Sequence, residues 1–416
     1  VIPSNTASPG PRRRILIISQ FYHPDITAAA FRIKETADLL ASRGHSVHVI
    51  AGEPHKARAP GEGPLTDGRV KVTRVKLFKA EGKGTWNYIR HYMSFMLGAI
   101  YASWKHPSRF DIVWASSPPL FTGVAGLVIS KLKKARFALD IRDIWPESAV
   151  VAGQLSAQGN LFQAAKIVER TLYKSADIIT CVARPMAGYI SGIAAGKQPA
   201  VIYNGIPRSY FDSMGGNDLD GGRMAQAPGE LEILYVGNMG HVQSLSVLIE
   251  AANLLQREGA TGIRFVLVGE GAQRKALVEQ AGALGLKNVS FTGILPKAEA
   301  LRRMRECSAL VLLLKADGTM DKTIPSKVFD YMAAGRPVLF GLGGEGREIF
   351  SRVSANMEFS PDSSDSLAAA VRRLRDEYPA VARTAAENRE IVRREFLREA
   401  MVDRLEMEFQ CTLEKF

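Results

Sequence analysis

The chain predicts two α/β domains in series, each built on a doubly wound parallel sheet. Its 416 residues exceed what one hydrophobic core usually supports. From Ile15 onward, short β-rich apolar runs alternate with amphipathic helical stretches, the pattern of a parallel sheet covered on both faces. That alternation breaks once, over the Gly-rich polar stretch 212–230, and then restarts.

Taken in order, residues 15–19, 47–51, 70–77, 112–115, 137–141, 178–182 and 201–203 read as buried strands, with helices such as 28–42 and 161–174 between them. After the break, strands are expected at 233–236, 265–268, 289–291, 309–314, 338–340 and 357–359. The division is therefore 1–211, a linker at 212–229, a second domain at 230–388, and a charged helix at 389–416 expected to pack back on the first domain.

An apolar fraction of 46% with 23% charged residues is that of an ordinary globular protein. Cys181, Cys307 and Cys411 are odd in number and in no metal-ligand spacing, which argues against disulfides or zinc and fits a reducing compartment. The net charge of +12 is one-sided: residues 1–207 hold 27 Lys and Arg against 13 Asp and Glu, the remainder 27 against 29. Such a field attracts a polyanion, whether nucleic acid, an anionic membrane or a phosphate-bearing acceptor. No nucleic-acid motif accompanies it. The polar, Pro-containing start ending in Arg12-Arg13-Arg14 has no secretory pattern, so a cytoplasmic location is expected.

Residues 86–104 are unusually aromatic (Trp86, Tyr88, Tyr92, Phe95, Tyr101, Trp104) and include Arg90 and His91. The stretch is too short to span a bilayer. As a helix it fits either the membrane interface or a packed core.

The most informative segment is Ile324-Pro-Ser-Lys-Val-Phe-Asp-Tyr-Met-Ala-Ala-Gly-Arg-Pro-Val338. Pro325 suits a helix start and Gly335 its end. Amides, a hydroxyl (Ser326) and an ammonium (Lys327) together suit a pyrophosphate, with Asp330 one turn on to accept from a ribose diol. An ordinary capped helix with a solvated lysine fits the same residues. In the first βα turn no Gly-x-Gly-x-x-Gly occurs, and Gly269-Glu-Gly271 lacks the third glycine, which disfavours a nicotinamide dinucleotide.

The 324–338 segment closely resembles the donor-binding helix of the retaining GT-B glycosyltransferases of glycosyltransferase family 4. The likeness extends along the chain through Val201-Ile-Tyr-Asn-Gly205, Val236-Gly-Asn-Met-Gly240, Phe265-Val-Leu-Val-Gly-Glu-Gly-Ala-Gln-Arg274 and Phe291-Thr-Gly-Ile-Leu295. It implies a GT-B fold of two Rossmann-like domains and a nucleotide-sugar donor held by Gly237, Asn238, Gln243, Arg274, Gly293, Ile294, Leu295, Ser326, Lys327 and Asp330. Neither a cofactor nor a metal is implied. Phe21-Tyr-His-Pro-Asp25, Ser116-Ser-Pro-Pro119 and Asp140-Ile-Arg-Asp-Ile-Trp-Pro-Glu-Ser148 are similar to a narrower branch in bacterial surface-polysaccharide assembly. That branch includes UDP-dependent N-acetyl-fucosamine transferases acting on polyprenyl-linked acceptors. It implies attachment to the inner face of the plasma membrane.

Departures from the family pattern matter. The first acid of its Glu-x7-Glu pair falls on Lys322, the second on Asp330, and its phosphate-binding cations fall near Asn238 and Gln243. Lys322 and Lys327 are expected to compensate on the facing segment. The family's glycine-rich first loop is replaced by Thr27-Ala28-Ala29, with His23 nearby. Asp143 stands where a catalytic histidine is common, so Asp143, Lys322 and Lys327 are the catalytic candidates; His23 and His241 are possible ligand contacts. A GDP-mannose-dependent transferase, a UDP-sugar epimerase and a non-enzymatic basic membrane-binding module remain alternatives. For the epimerase, the sequence offers no paired carboxylates placed around a sugar.

Overall fold

A computed structural model describes residues 11–25, 27–54, 68–79, 84–215 and 229–414. Most of the expected linker, 216–228, lies outside the described residues. Contacts divide the chain into two units, one of Val1–Val182, Met186–Ile202 and Val402–Phe416, the other of Ala183–Pro185 and Tyr203–Met401.

The first unit holds strands β1 (Arg14–Ser19), β2 (Ser46–Gly52), β3 (Lys71–Val75), β4 (Ile112–Ser117), β5 (Arg136–Ile141), β6 (Ile178–Cys181) and β7 (Ala200–Val201). They form one parallel sheet in the order β3-β2-β1-β4-β5-β6-β7. Helices on both faces explain why β1 and β4 are apolar or small almost throughout rather than alternating. The helix Ala28–Ser42 starts at Thr27, whose hydroxyl accepts from Ala30 N at 3.1 Å. The core runs through Ile15, Ile17, Val49, Ile112 and Trp114. Val402, Leu405 and Phe409 of the last helix, Arg398–Glu414, complete that core. The Phe409 ring meets Trp114 edge-on at 6.5 Å, and Glu406 receives His45 Nε2 at 2.7 Å.

The second unit holds β8 (Leu231–Val236), β9 (Ile263–Val268), β10 (Val289–Gly293), β11 (Ala309–Leu313), β12 (Val338–Gly341) and β13 (Met357–Glu358), all parallel, in the order β10-β9-β8-β11-β12-β13. Each sheet thus reverses direction once, between β1 and β4 in the first unit and between β8 and β11 in the second. Beyond the carboxyl ends of such a pair the flanking connections part, and an open α/β sheet offers its ligand crevice there.

Candidate active site

In the second unit, the turns leaving β8, β9 and β10 are joined to one another by backbone hydrogen bonds. Gly237 N donates to Val268 O at 2.8 Å, Met239 N to Glu270 O at 2.8 Å, and Gly269 N to Gly293 O at 2.8 Å. The fit requires glycine: Gly237 has φ +145°, and a Cβ on Gly269 would stand 2.0 Å from Gly237 O.

Lys327 opens the helix Lys327–Ala333, with Ser326 at its cap, so the helix starts two residues after Pro325. Its side chain lies across Gly237, where a Cβ would come within 2.4 Å of Nζ. Nζ donates to the Tyr235 hydroxyl at 2.5 Å and sits 4.1 Å from the centroid of that ring. The Tyr235 hydroxyl in turn donates to Asn238 O at 2.6 Å. The Tyr331 hydroxyl accepts from Val236 N at 2.8 Å and donates to Val236 O at 3.2 Å. Both phenols are buried, which pushes their pKa up and keeps them neutral. Burial pushes the Lys327 ammonium down to about 7, with Asp330 opposing the shift. The result is an amine poised near neutral pH, with two neutral phenols and the Asp330 carboxylate near it, set beside a glycine turn at the sheet's switch point. An arriving diphosphate would restore its proton affinity.

The other expected donor contacts divide. Gln243 Oε1 accepts from Gly240 N at 2.9 Å, and Asn238 Nδ2 lies 3.4 Å from the same oxygen, so this pair shapes the turn. Arg274 pairs with Glu270 at 3.1 Å, and Glu270 Oε1 lies 3.7 Å from the Cβ position of Gly293. Ile294 and Leu295 follow Gly293, half-buried, ahead of the helix Lys297–Glu306. His241 is engaged by Gln273 Nε2 at 2.9 Å. Lys322 ends the 3-10 turn Met320–Lys322, whose Asp321 packs on Gly343 and Gly344. Sequence reasoning missed Tyr235, Tyr331 and Glu270. For the tyrosines, the available signal was a phenol at a buried position, which needs a partner for its hydroxyl.

In the first unit, a buried polar chain joins the carboxyl ends of β4, β5 and β6 to the helix Ala28–Ser42. Arg142 Nε donates to Ser116 Oγ and Arg142 Nη2 to Pro118 O, both at 2.8 Å. Ser116 donates to Asp140 Oδ2 at 3.1 Å, and Asp140 Oδ1 takes Thr180 Oγ1 at 2.8 Å and Arg32 Nη2 at 2.9 Å. Asp143 is not part of that chain; its carboxylate accepts from the Ser148 hydroxyl. Burial raises the Asp143 pKa to about 6, against Ser148 and Arg142, which lower it. His23 is buried, with Nε2 lacking a hydrogen-bond partner; Thr27 caps its helix and Ala28 is exposed beside it.

A carboxylate pair the sequence did not reveal lies nearby. Glu147 and Glu169 share Lys166, which reaches Glu147 Oε1 at 2.8 Å, and the Tyr189 hydroxyl reaches them at 3.0 and 3.1 Å. Burial raises the Glu169 pKa, with Lys166 opposing. Tied together through Lys166 and Tyr189, the pair braces the helices Glu147–Val151 and Asn160–Ser175. Among the described residues, no group of three or more His, Cys, Asp or Glu is placed to hold a metal ion, and no helix is long and apolar enough to cross a membrane.

Two Rossmann-type sheets, each with polar residues at its strand carboxyl ends, define the class, and family comparison agrees. The model for the glycosyl transferase 4-like domain matches residues 27–205, and that for glycosyl transferases group 1 matches residues 230–377. Together they cover most of the chain, which belongs to this family of GT-B glycosyltransferases. It is 27% identical over 414 residues to the colanic acid biosynthesis glycosyl transferase WcaI of Escherichia coli, covering 92% of this chain and 98% of WcaI. Among solved structures it is similar to sucrose-phosphate synthase from Thermosynechococcus elongatus, with TM-score 0.78 and 16% identity over 97% of this chain and 100% of that one. HepE from Anabaena, in complex with UDP and glucose, follows with TM-score 0.72 and 15% identity over 96% and 100% of the two chains.

Proposed function

We propose that the chain is a retaining, metal-independent transferase that moves an N-acetylated hexosamine from a UDP-sugar to a polyprenyl-linked saccharide. It would work at the inner face of the plasma membrane during surface-polysaccharide synthesis. The observation that carries the donor half is Lys327, half-buried against Tyr235 and laid across Gly237 with a lowered pKa. A leaving diphosphate supplies the charge this ammonium lacks, and stabilising that charge is the main electrostatic demand of the reaction. Asn238, Gly293, Ile294, Leu295, Ser326 and Asp330 stand on the surrounding turns and the Lys327 helix as donor contacts. Asp143, His23, Thr27 and Ala28 are assigned to the sugar and acceptor. With front-side attack the leaving phosphate takes the acceptor proton, so little side-chain acid–base chemistry is needed. The likeness to a colanic acid enzyme supports the surface-polysaccharide reading, and the UDP-bound HepE fold supports the nucleotide.

The test is turnover of UDP-sugars, as hydrolysis without acceptor and as transfer to a lipid-linked saccharide. Lys327→Ala should lower turnover by about a hundredfold or more. Activity within a few fold of wild type would remove Lys327 from the mechanism. A thermal shift with GDP-mannose but none with UDP-sugars would replace the proposed donor.

A further inference from the structure

The helix Thr85–Lys105 is apolar on two sides. Its inner side packs through Phe95, Ala99 and Ser103, all buried, and Gly98 lets it close on Val75, where a Cβ would stand 2.2 Å from Cγ1. On the outer side, positions 86, 90, 93, 97, 101 and 104 fall into one stripe at helical spacing. Five of the six are large and apolar or aromatic. Trp86 is 67% exposed, Leu97 56%, Tyr101 54% and Trp104 68%, with Met93 also exposed. A helix packed on a sheet ordinarily turns a polar face outward, and a contiguous apolar stripe there marks an interaction surface.

The charge around the stripe identifies the partner. From Thr85 to Phe110 there is no Asp or Glu, whereas Arg90, Lys105 and Arg109 are exposed. Lys105 sits 4.6 Å from the Tyr101 ring centroid, covering its face. Lys133, donating to His106 O at 2.5 Å, brings the end of the helix Leu120–Lys133 alongside, with Lys131, Leu132 and Lys134 exposed. We infer that this face lies flat in the headgroup region of an anionic bilayer, with Trp86 and Trp104 as anchors at its two ends and the cations against lipid phosphates. A second copy of the chain fits poorly, because two such faces would oppose cations with no carboxylate between them. This assignment rests on the membrane-attached reading above and gives it a specific surface.

The full-length protein is floated with phosphatidylcholine vesicles, with and without phosphatidylglycerol, across a salt series. Binding is expected only with the anionic lipid, weakening as salt rises, with a blue shift of tryptophan emission. Leu97→Asp and Trp104→Asp, separately, should each reduce partitioning by about tenfold or more while leaving the thermal melt and the UDP-induced shift unchanged. Failure of the wild type to float, flotation of the variants equal to wild type, or a wild-type dimer that the variants dissolve would each overturn the inference. Vesicle binding requires no donor. Its failure therefore leaves the transferase reading intact, and an inactive protein that floats leaves this one intact.

Discussion

Lys327 and Asp143 are both held away from their ordinary protonation, in ways that pH can test. Burial takes Lys327 down to about 7 when no ligand is bound, even with Asp330 opposing the shift. A bound diphosphate favours the ammonium, so donor binding takes up a proton at pH above 7. Affinity for UDP-N-acetylglucosamine, whose phosphates stay ionised, should fall by up to tenfold per pH unit as pH rises from 7 toward 9. In Lys327→Ala the profile should be flat, and calorimetric titration at several pH values checks both. Asp143 shows the opposite case: its folded pKa of about 6 lies above its ordinary 3.8. The stability this group contributes is present below its unfolded pKa and is lost as pH rises through 6. Asp143→Asn should therefore raise the melting temperature relative to wild type at pH 7.5 more than at pH 4, which parallel melts would show. The lysine was legible because Pro-Ser-Lys marks a helix start. The environment of Asp143 was not, because adjacent residues leaving a strand project in different directions, so Arg142 hydrogen-bonds Ser116 and Pro118 while Asp143 takes Ser148.

At the level of elements, strand positions were easy to read because parallel strands buried on both faces are nearly continuous apolar runs. Every expected strand is present, with ends moved by a few residues; β3 spans Lys71–Val75 where 70–77 was expected. The backbone ladder joining the turns after β8, β9 and β10 was not legible. Glycines announce tight turns, but which carbonyl each amide meets depends on sheet order. The same limit applies to Tyr235, since strand periodicity reports burial and not what a hydroxyl reaches. The last helix is as important to the first unit as any strand. Phe409→Ala removes a ring that is 2% exposed and rests on Trp114. It should cost about 3–5 kcal/mol, seen as an earlier melting transition, with the UDP-dependent shift of the second unit retained.

For the molecule as a whole, two sheets with the same reversal put both polar sites where doubly wound folds place their ligands, at strand carboxyl ends. The Lys327 cluster belongs to the second unit and the Asp140–Arg142–Asp143 region to the first. The charge asymmetry agrees with that division: the basic excess falls within residues 1–207, which also carry the aromatic stripe, while the remainder is nearly neutral. The doubled architecture followed from the interrupted alternation alone. The return of the chain to the first unit at Val402 also has a consequence for biosynthesis. The residues that close over Trp114 follow every strand of both sheets in chain order. Although its strands are translated first, the first unit cannot complete its core until the second unit's sheet has been synthesised, and the nascent sheet must wait with that face open to chaperones.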